Sequence, residues 1–134
     1  MGKKVFLIIL ALLFALIAAA TVSTVVASNR VHSFTLHDYD RHMHDFAQNG
    51  YFKPYIDAYQ AKPVENIKDA KRVAEMFFTE IYGESEKPYY VSYDEAEEVW
   101  HVQGTKFPVP MQYGGFAEIL IHKDGTILAI WHGK

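Results

Sequence analysis

The first residues that could carry chemistry are histidines that alternate with aspartates after residue 36. The group comprises His37, His42 and His44 with Asp38, Asp40 and Asp45. On a helix, His37 and His44 share a face while His42 lies elsewhere, so the i, i+4 histidine pair of helical metal sites is absent. We therefore expect a solvated helix of mixed charge, with no metal site and no cofactor. A weak pH response of the segment stays open, because histidine titrates near neutrality.

A second candidate is an acid–base pair between the carboxylate of Glu118 and the imidazole of His101 or His132. Such a pair in a deep pocket could transfer protons. No nucleophile accompanies it, and the chain has no cysteine, which excludes a thiolate, a disulfide and a Cys-bound zinc site. We interpret Glu118 as an ordinary strand residue, and we predict no catalytic residue and no enzymatic activity.

The third candidate is a cluster of acids and tyrosines in the middle of the chain. The acids are Glu84, Glu86, Asp94, Glu95, Glu97 and Glu98, and the tyrosines are Tyr89, Tyr90 and Tyr93. Negative charge steers a basic protein toward such a surface, and aromatic rings anchor it. We predict that partner contacts come from Tyr89, Tyr90, Glu95, Glu97, Glu98 and Trp131. The alternative interpretation is an ordinary solvated turn.

The charge balance supports a basic protein as the partner. All 16 acidic residues lie after the apolar N-terminal stretch, whereas two of the 13 Lys and Arg residues, Lys3 and Lys4, lie at its start. The remainder therefore has five more acids than bases. This balance argues against nucleic-acid binding, which needs a basic face.

The N-terminal stretch, residues 1–28, has the composition of a membrane anchor or a signal peptide. Residues 5–20 are all apolar, and the apolar character continues to residue 27. As a helix, residues 5–27 would span about 34 Å, enough to cross a bilayer. A retained anchor and a cleaved leader both stay open, and both place the following domain outside the cytoplasm because Lys3 and Lys4 remain inside.

The elements that must position the candidate residues follow a connector at residues 29–63. Within the connector, helical spacing predicts a helix over residues 35–48 and a second short helix. In the main domain, residues 64–134, apolar residues recur at helical spacing from Ile67 to Tyr82, with Asn66 as N-cap and Gly83 as the stop. Four strand patterns then follow, beginning near residues 88, 98, 115 and 126. This order predicts an α+β fold with one helix on a four-stranded antiparallel meander.

Alternation along the last two strands assigns residues to the two faces of the sheet. We expect the helix to cover Ala117, Ile119, Ile121, Leu128 and Ile130. The other face carries Phe116, Leu120, Ile127 and Trp131 around Glu118, which is too apolar for a water-exposed face. We expect residues 30–62 or another protein to cover it.

An ordered set of short motifs runs along the main domain, namely IYGE (81–84), PY (88–89), VWHVQG (99–104), GG (114–115), KDG (123–125) and HGK (132–134). This ordered set resembles the NTF2-fold immunity proteins of bacterial polymorphic toxin systems. The resemblance covers about residues 64–134. It implies a module that neutralises a cognate toxin by binding it and has no enzymatic activity.

The resulting hypothesis is a non-enzymatic immunity protein that acts outside the cytoplasm. Its alternative is a cystatin-like or PepSY-like module that regulates a peptidase there, because such modules share the helix and four-stranded meander. The sequence leaves open the identity of the partner, the oligomeric state, the fate of the leader and the role of residues 32–44.

Overall fold

The computed structural model describes residues 2–36, 51–105 and 115–133. These residues form three helices and one five-stranded sheet. The helices are α1 (Gly2–Ser28), α2 (Lys53–Ala58) and α3 (Ile67–Tyr82). The strands are β1 (Val31–Ser33), β2 (Tyr89–Asp94), β3 (Val99–Gly104), β4 (Ala117–His122) and β5 (Ile127–His132). The predicted α+β class, with a helix packed on a meander, is confirmed. The helix predicted at residues 35–48 and the loop at residues 106–114 lie outside the described residues.

Helix α1 is apolar on every side, and its described side chains are exposed. Its 27 residues span about 40 Å. The stretch Gly2–Ala19 is long and apolar enough to cross a membrane, and none of it is buried against the rest of the chain. A signal sequence has the same length and composition, so the helix is a candidate anchor or leader.

Helix α3 begins and ends at the residues that the sequence indicates. The side chain of Asn66 accepts a hydrogen bond of 2.9 Å from the backbone N–H of Asp69. Gly83 adopts a left-handed conformation with φ of 75°, and its N–H donates to the carbonyl of Thr79. Because both caps satisfy backbone groups that the helix leaves unpaired, the ends of α3 are fixed locally.

Replacing Asn66 with Ala is expected to lower the free energy of unfolding by about 1 kcal/mol, because the N–H of Asp69 loses its acceptor. Urea titration followed by fluorescence of the two tryptophans, Trp100 and Trp131, measures this change, since both lie in the sheet. The matched control is Asn66→Asp, which restores an acceptor. Equal losses in the two variants would contradict the capping role.

The sheet has five strands in the order β1-β2-β3-β4-β5, so the prediction of four strands was one short. Strands β2 to β5 form the predicted antiparallel meander. The additional strand, β1, pairs in parallel with β2, and Val31 lies beside Val91. Sequence patterning missed it because three residues are too short to show alternation.

A β-bulge in the last hairpin corrects the predicted face of two residues. The register pairs Leu120 with Ala129 but Ile121 with Ile127, so Leu128 is the extra residue. Ile127 therefore packs in the core under the helices, and Leu128 packs on the opposite face. Strict alternation assigned these two residues the other way round, because an extra residue reverses the alternation on its side of the bulge.

The two faces of the sheet carry two separate apolar clusters. The larger lies under α3 and includes Ala117, Ile119, Ile121 and Ile130, as predicted. Tyr55 and Ile56 of helix α2 pack against it, and the ring of Tyr59, just after α2, lies 5.2 Å from that of Phe77. The smaller cluster contains Val99, Leu120, Ala129 and Trp131, and Phe34 and Leu36 pack against it. Residues 30–62 thus contribute to covering the second face, in line with the first of the two expectations.

Candidate partner-binding surface

The turn between β2 and β3 is held in place by the buried side chain of Asp94. One carboxylate oxygen of Asp94 accepts hydrogen bonds from the N–H groups of Ala96, at 2.9 Å, and Glu97, at 3.2 Å. The other accepts from the N–H of Leu36 at 2.8 Å. Glu98 closes the turn with φ of 56°. These bonds fix the backbone that presents the acids, so the charges of the turn are preorganised.

The three acids of this turn, Glu95, Glu97 and Glu98, form what we call the acidic turn, and all three are exposed. Glu98 lies 3.5 Å from the ammonium of Lys123, and both side chains are about half exposed. Glu95 and Glu97 form no ion pair with any residue that the structure describes. Their charge is therefore available to a basic partner.

Tyr90 extends the candidate surface along β2. Its side chain is 37% exposed, and its ring stacks on that of His32 at 3.9 Å. This stacking fixes the ring before any partner arrives, which lowers the entropy lost on binding. His32 was not among the predicted site residues, and β1 brings it there.

The other two predicted contact residues, Tyr89 and Trp131, are buried at 2% and 4% exposure. The hydroxyl of Tyr89 donates to the carbonyl of Ser85 at 2.5 Å, and burial raises the pKa of Tyr89. The indole N–H of Trp131 donates to Glu118 at 2.6 Å. Both residues thus pack within the domain, and a contact of either with a partner stays a prediction.

Glu118 occupies the centre of a cross-strand cluster on the second face. Its Oε1 lies 2.9 Å from Nε2 of His101, and its Oε2 accepts the bond from Trp131. The rings of His101 and Trp131 stack at 6.1 Å. Since both carboxylate oxygens already bind side chains of neighbouring strands, this arrangement braces β3, β4 and β5. His132, the other suggested partner of Glu118, lies elsewhere.

His132 instead pairs with Glu86, a buried carboxylate that sequence reasoning grouped with the exposed acids. Oε1 of Glu86 lies 2.9 Å from Nε2 of His132, and Oε2 of Glu86 accepts a hydrogen bond of 2.5 Å from the N–H of Ala117. Tyr82 packs its ring 5.1 Å from His132. Burial and the charge of Glu86 raise the pKa of Tyr82 to about 12, so its hydroxyl is neutral at physiological pH.

Two glycines of the quoted motifs allow close approaches, one to Glu86 and the other to the backbone of Gly133. A Cβ at Gly104 would lie 2.6 Å from Cβ of Glu86. A Cβ at Gly115 would overlap the backbone of Gly133, whose N–H donates to the carbonyl of Phe116 at 3.0 Å. Gly104 of VWHVQG and His132 of HGK therefore meet at Glu86, and Gly115 of GG meets Gly133 of HGK.

This convergence gives the ordered motifs a structural reason, and comparison with known families agrees. Residues 69–134 match the family model of the NTF2 fold immunity protein. This match confirms the resemblance drawn from the sequence over the C-terminal part of the chain. Searches of curated proteins and of solved structures returned no match.

The match to an NTF2 fold immunity family indicates a role in toxin immunity, and it favours a non-enzymatic role. Within the part of the chain that the structure describes, no group of three or more His, Cys, Asp or Glu side chains could hold a metal ion. The histidines at 37, 42 and 44 lie outside that part.

Proposed function

We propose that this chain neutralises a cognate bacterial toxin by binding it in a stoichiometric complex. The observation that carries the proposal is the match of residues 69–134 to an immunity family. The proposed contact surface for the toxin is the acidic turn together with Tyr90. The partner is a basic protein, because the acids of the turn have exposed, partly unpaired charges.

We also propose that α1 holds the domain at a membrane, on the side away from the cytoplasm. Two features support this location. The chain has Lys3 and Lys4 before the apolar helix, and basic residues at this position remain in the cytoplasm. All described side chains of α1 are exposed to the surroundings instead of packed on the domain, as a helix that enters lipid requires.

The complex is tested against candidate toxins from genes that neighbour the gene of this chain, by coexpression survival and by binding of each purified pair. Replacing both Glu95 and Glu97 by Lys is expected to weaken toxin binding at least about tenfold. The salt dependence of binding is expected to flatten, because electrostatic steering by the acidic turn is lost. The control, Glu65→Lys with Glu80→Lys, makes the same change in net charge at exposed positions elsewhere.

Equal weakening in the two double variants would contradict the acidic turn as the contact surface while leaving immunity itself intact. Absence of both binding and protection by the parent chain would contradict the proposed function. Mass measurement of the chain recovered from membranes decides whether α1 is retained, and recovery of a shortened chain in the soluble fraction would contradict the anchor.

A further inference from the structure

A groove of about 620 Å³ runs between one side of α3 and the start of β2. Four cationic side chains line it, namely Lys68, Lys71, Arg72 and Lys87. The one acid in its lining, Glu75, lies 2.6 Å from the ammonium of Lys87. The lining thus has three more cations than anions, in a chain whose net charge is −3.

The remaining walls of the groove are largely apolar. Ile67, Pro88 and the nearly buried Tyr89 contribute to these walls. Ile67 and Tyr89 also pack in the core. Burial in this setting lowers the pKa of Lys71. An anion bound beside this ammonium would offset its desolvation, so the chemistry favours a ligand with a negative group and apolar surface.

The groove lies where the chain leaves α1. Asn29, the first residue after the helix, is part of its lining. Two residues later β1 begins and runs parallel to β2, from Val31 beside Val91 to Ser33 beside Tyr93. The start of β2 therefore lies on the side of the domain that the apolar helix reaches.

We propose that this groove binds the phosphate headgroups of anionic phospholipids in the membrane that α1 enters. The inference rests on the proposed anchor. An anionic membrane surface attracts clustered Lys and Arg side chains, and it does so within about 10 Å of the lipid phosphates. The apolar walls accept the glycerol and upper acyl region of the lipid.

The charge distribution along β2 fits this orientation. The acidic turn follows Asp94, and β2 places it about 17 Å beyond Tyr89 at about 3.3 Å per residue. An anionic surface repels these acids while it attracts the groove. Binding of lipid by the groove therefore holds the domain with its acidic turn directed away from the bilayer, where a toxin can reach it.

The test places one fluorescent thiol probe on the full chain, which has no native cysteine. Thr79→Cys puts the probe one turn beyond Glu75 on the groove side of α3, and Glu97→Cys puts it on the acidic turn. The chain is inserted into nanodiscs of phosphatidylcholine, or of phosphatidylcholine with phosphatidylglycerol, each with the same fraction of headgroup-labelled quencher lipid. We expect quenching at position 79 to rise at least about twofold in the anionic discs, with no rise at position 97.

Replacing both Lys68 and Arg72 by Glu is expected to abolish the rise in quenching at position 79. The double replacement Glu65→Lys and Glu80→Lys is expected to leave this rise in place. Equal quenching at position 79 in the two bilayers would overturn the inference. So would loss of the contrast on adding inorganic phosphate, since the groove would then be a site for soluble anions. Failure of the chain to co-purify with the nanodiscs would contradict both the lipid-binding groove and the proposed membrane anchor. Toxin binding is measured in a separate experiment. If the chain binds no toxin but quenching at position 79 still rises in the anionic discs, only the toxin proposal is contradicted.

Discussion

Replacing Glu86 with Ala is expected to lower the free energy of unfolding of the domain by about 3 kcal/mol. The carboxylate accepts the N–H of Ala117 at the start of β4 and lies 2.9 Å from the ring of His132 at the end of β5. Its side chain is 1% exposed. Without it, a buried N–H and a half-buried imidazole lose their partner where water has little access.

The backbone of Glu86 makes this test sharper. Its φ of 58° lies in the left-handed region, which costs a non-glycine residue about 1 kcal/mol. Glu86→Gly removes that cost, yet we expect it to destabilise the domain by about 2 kcal/mol because the carboxylate is lost. Glu86→Gln keeps an acceptor for the N–H of Ala117 and is expected to cost less than either.

Urea titration of the full chain in detergent micelles, followed by tryptophan fluorescence, gives the three free energies. The decisive comparison is Gly against the parent residue. A glycine variant about 1 kcal/mol more stable than the parent would show that Glu86 contributes only a strained backbone, and the proposed brace between β4 and β5 would be wrong.

The sequence was sufficient for α3 and insufficient for the sheet edge. Apolar spacing, the Asn66 cap and Gly83 each act within one helical turn, so α3 could be placed from local pattern alone. The face of Leu128 depends on a bulge opposite Leu120, a pairing between strands that no alternation within one strand reveals. Strand β1 exists because β2 is beside it, and three residues carry no pattern of their own.

In the candidate surface too, features set by local sequence could be predicted and features set by distant contacts could not. Glu95 and Glu97 were predicted as partner contacts in a turn between two strands, and both side chains are exposed. Glu86 has the same residue type in the same acidic run, but its environment is set by Ala117 and His132, more than thirty residues away in the sequence. The signal that could have found it is Gly104, whose added Cβ would meet Glu86, since glycine in a strand marks close approach of another part of the chain.

Gly115 offers the second large effect, because it combines a left-handed backbone with a close contact. Its φ is 69°, and a Cβ would overlap the backbone of Gly133. Replacing Gly115 with Ala is expected to lower the free energy of unfolding by about 3 kcal/mol, since relief of the overlap must displace the segment after β5. The same displacement would weaken the bond from the N–H of Gly133 to Phe116.

Gly83 supplies the matched control, because it has a similar φ of 75° and a Cβ added there would meet no atom within 4 Å. Gly83→Ala should therefore cost only the left-handed conformation, about 1 kcal/mol. The difference between the two variants, about 2 kcal/mol, isolates the approach of Gly115 to Gly133 from backbone strain. Equal costs in the same urea titrations would show that the contact contributes nothing. The GG and HGK motifs would then need another explanation than the packing of β4 against the end of β5.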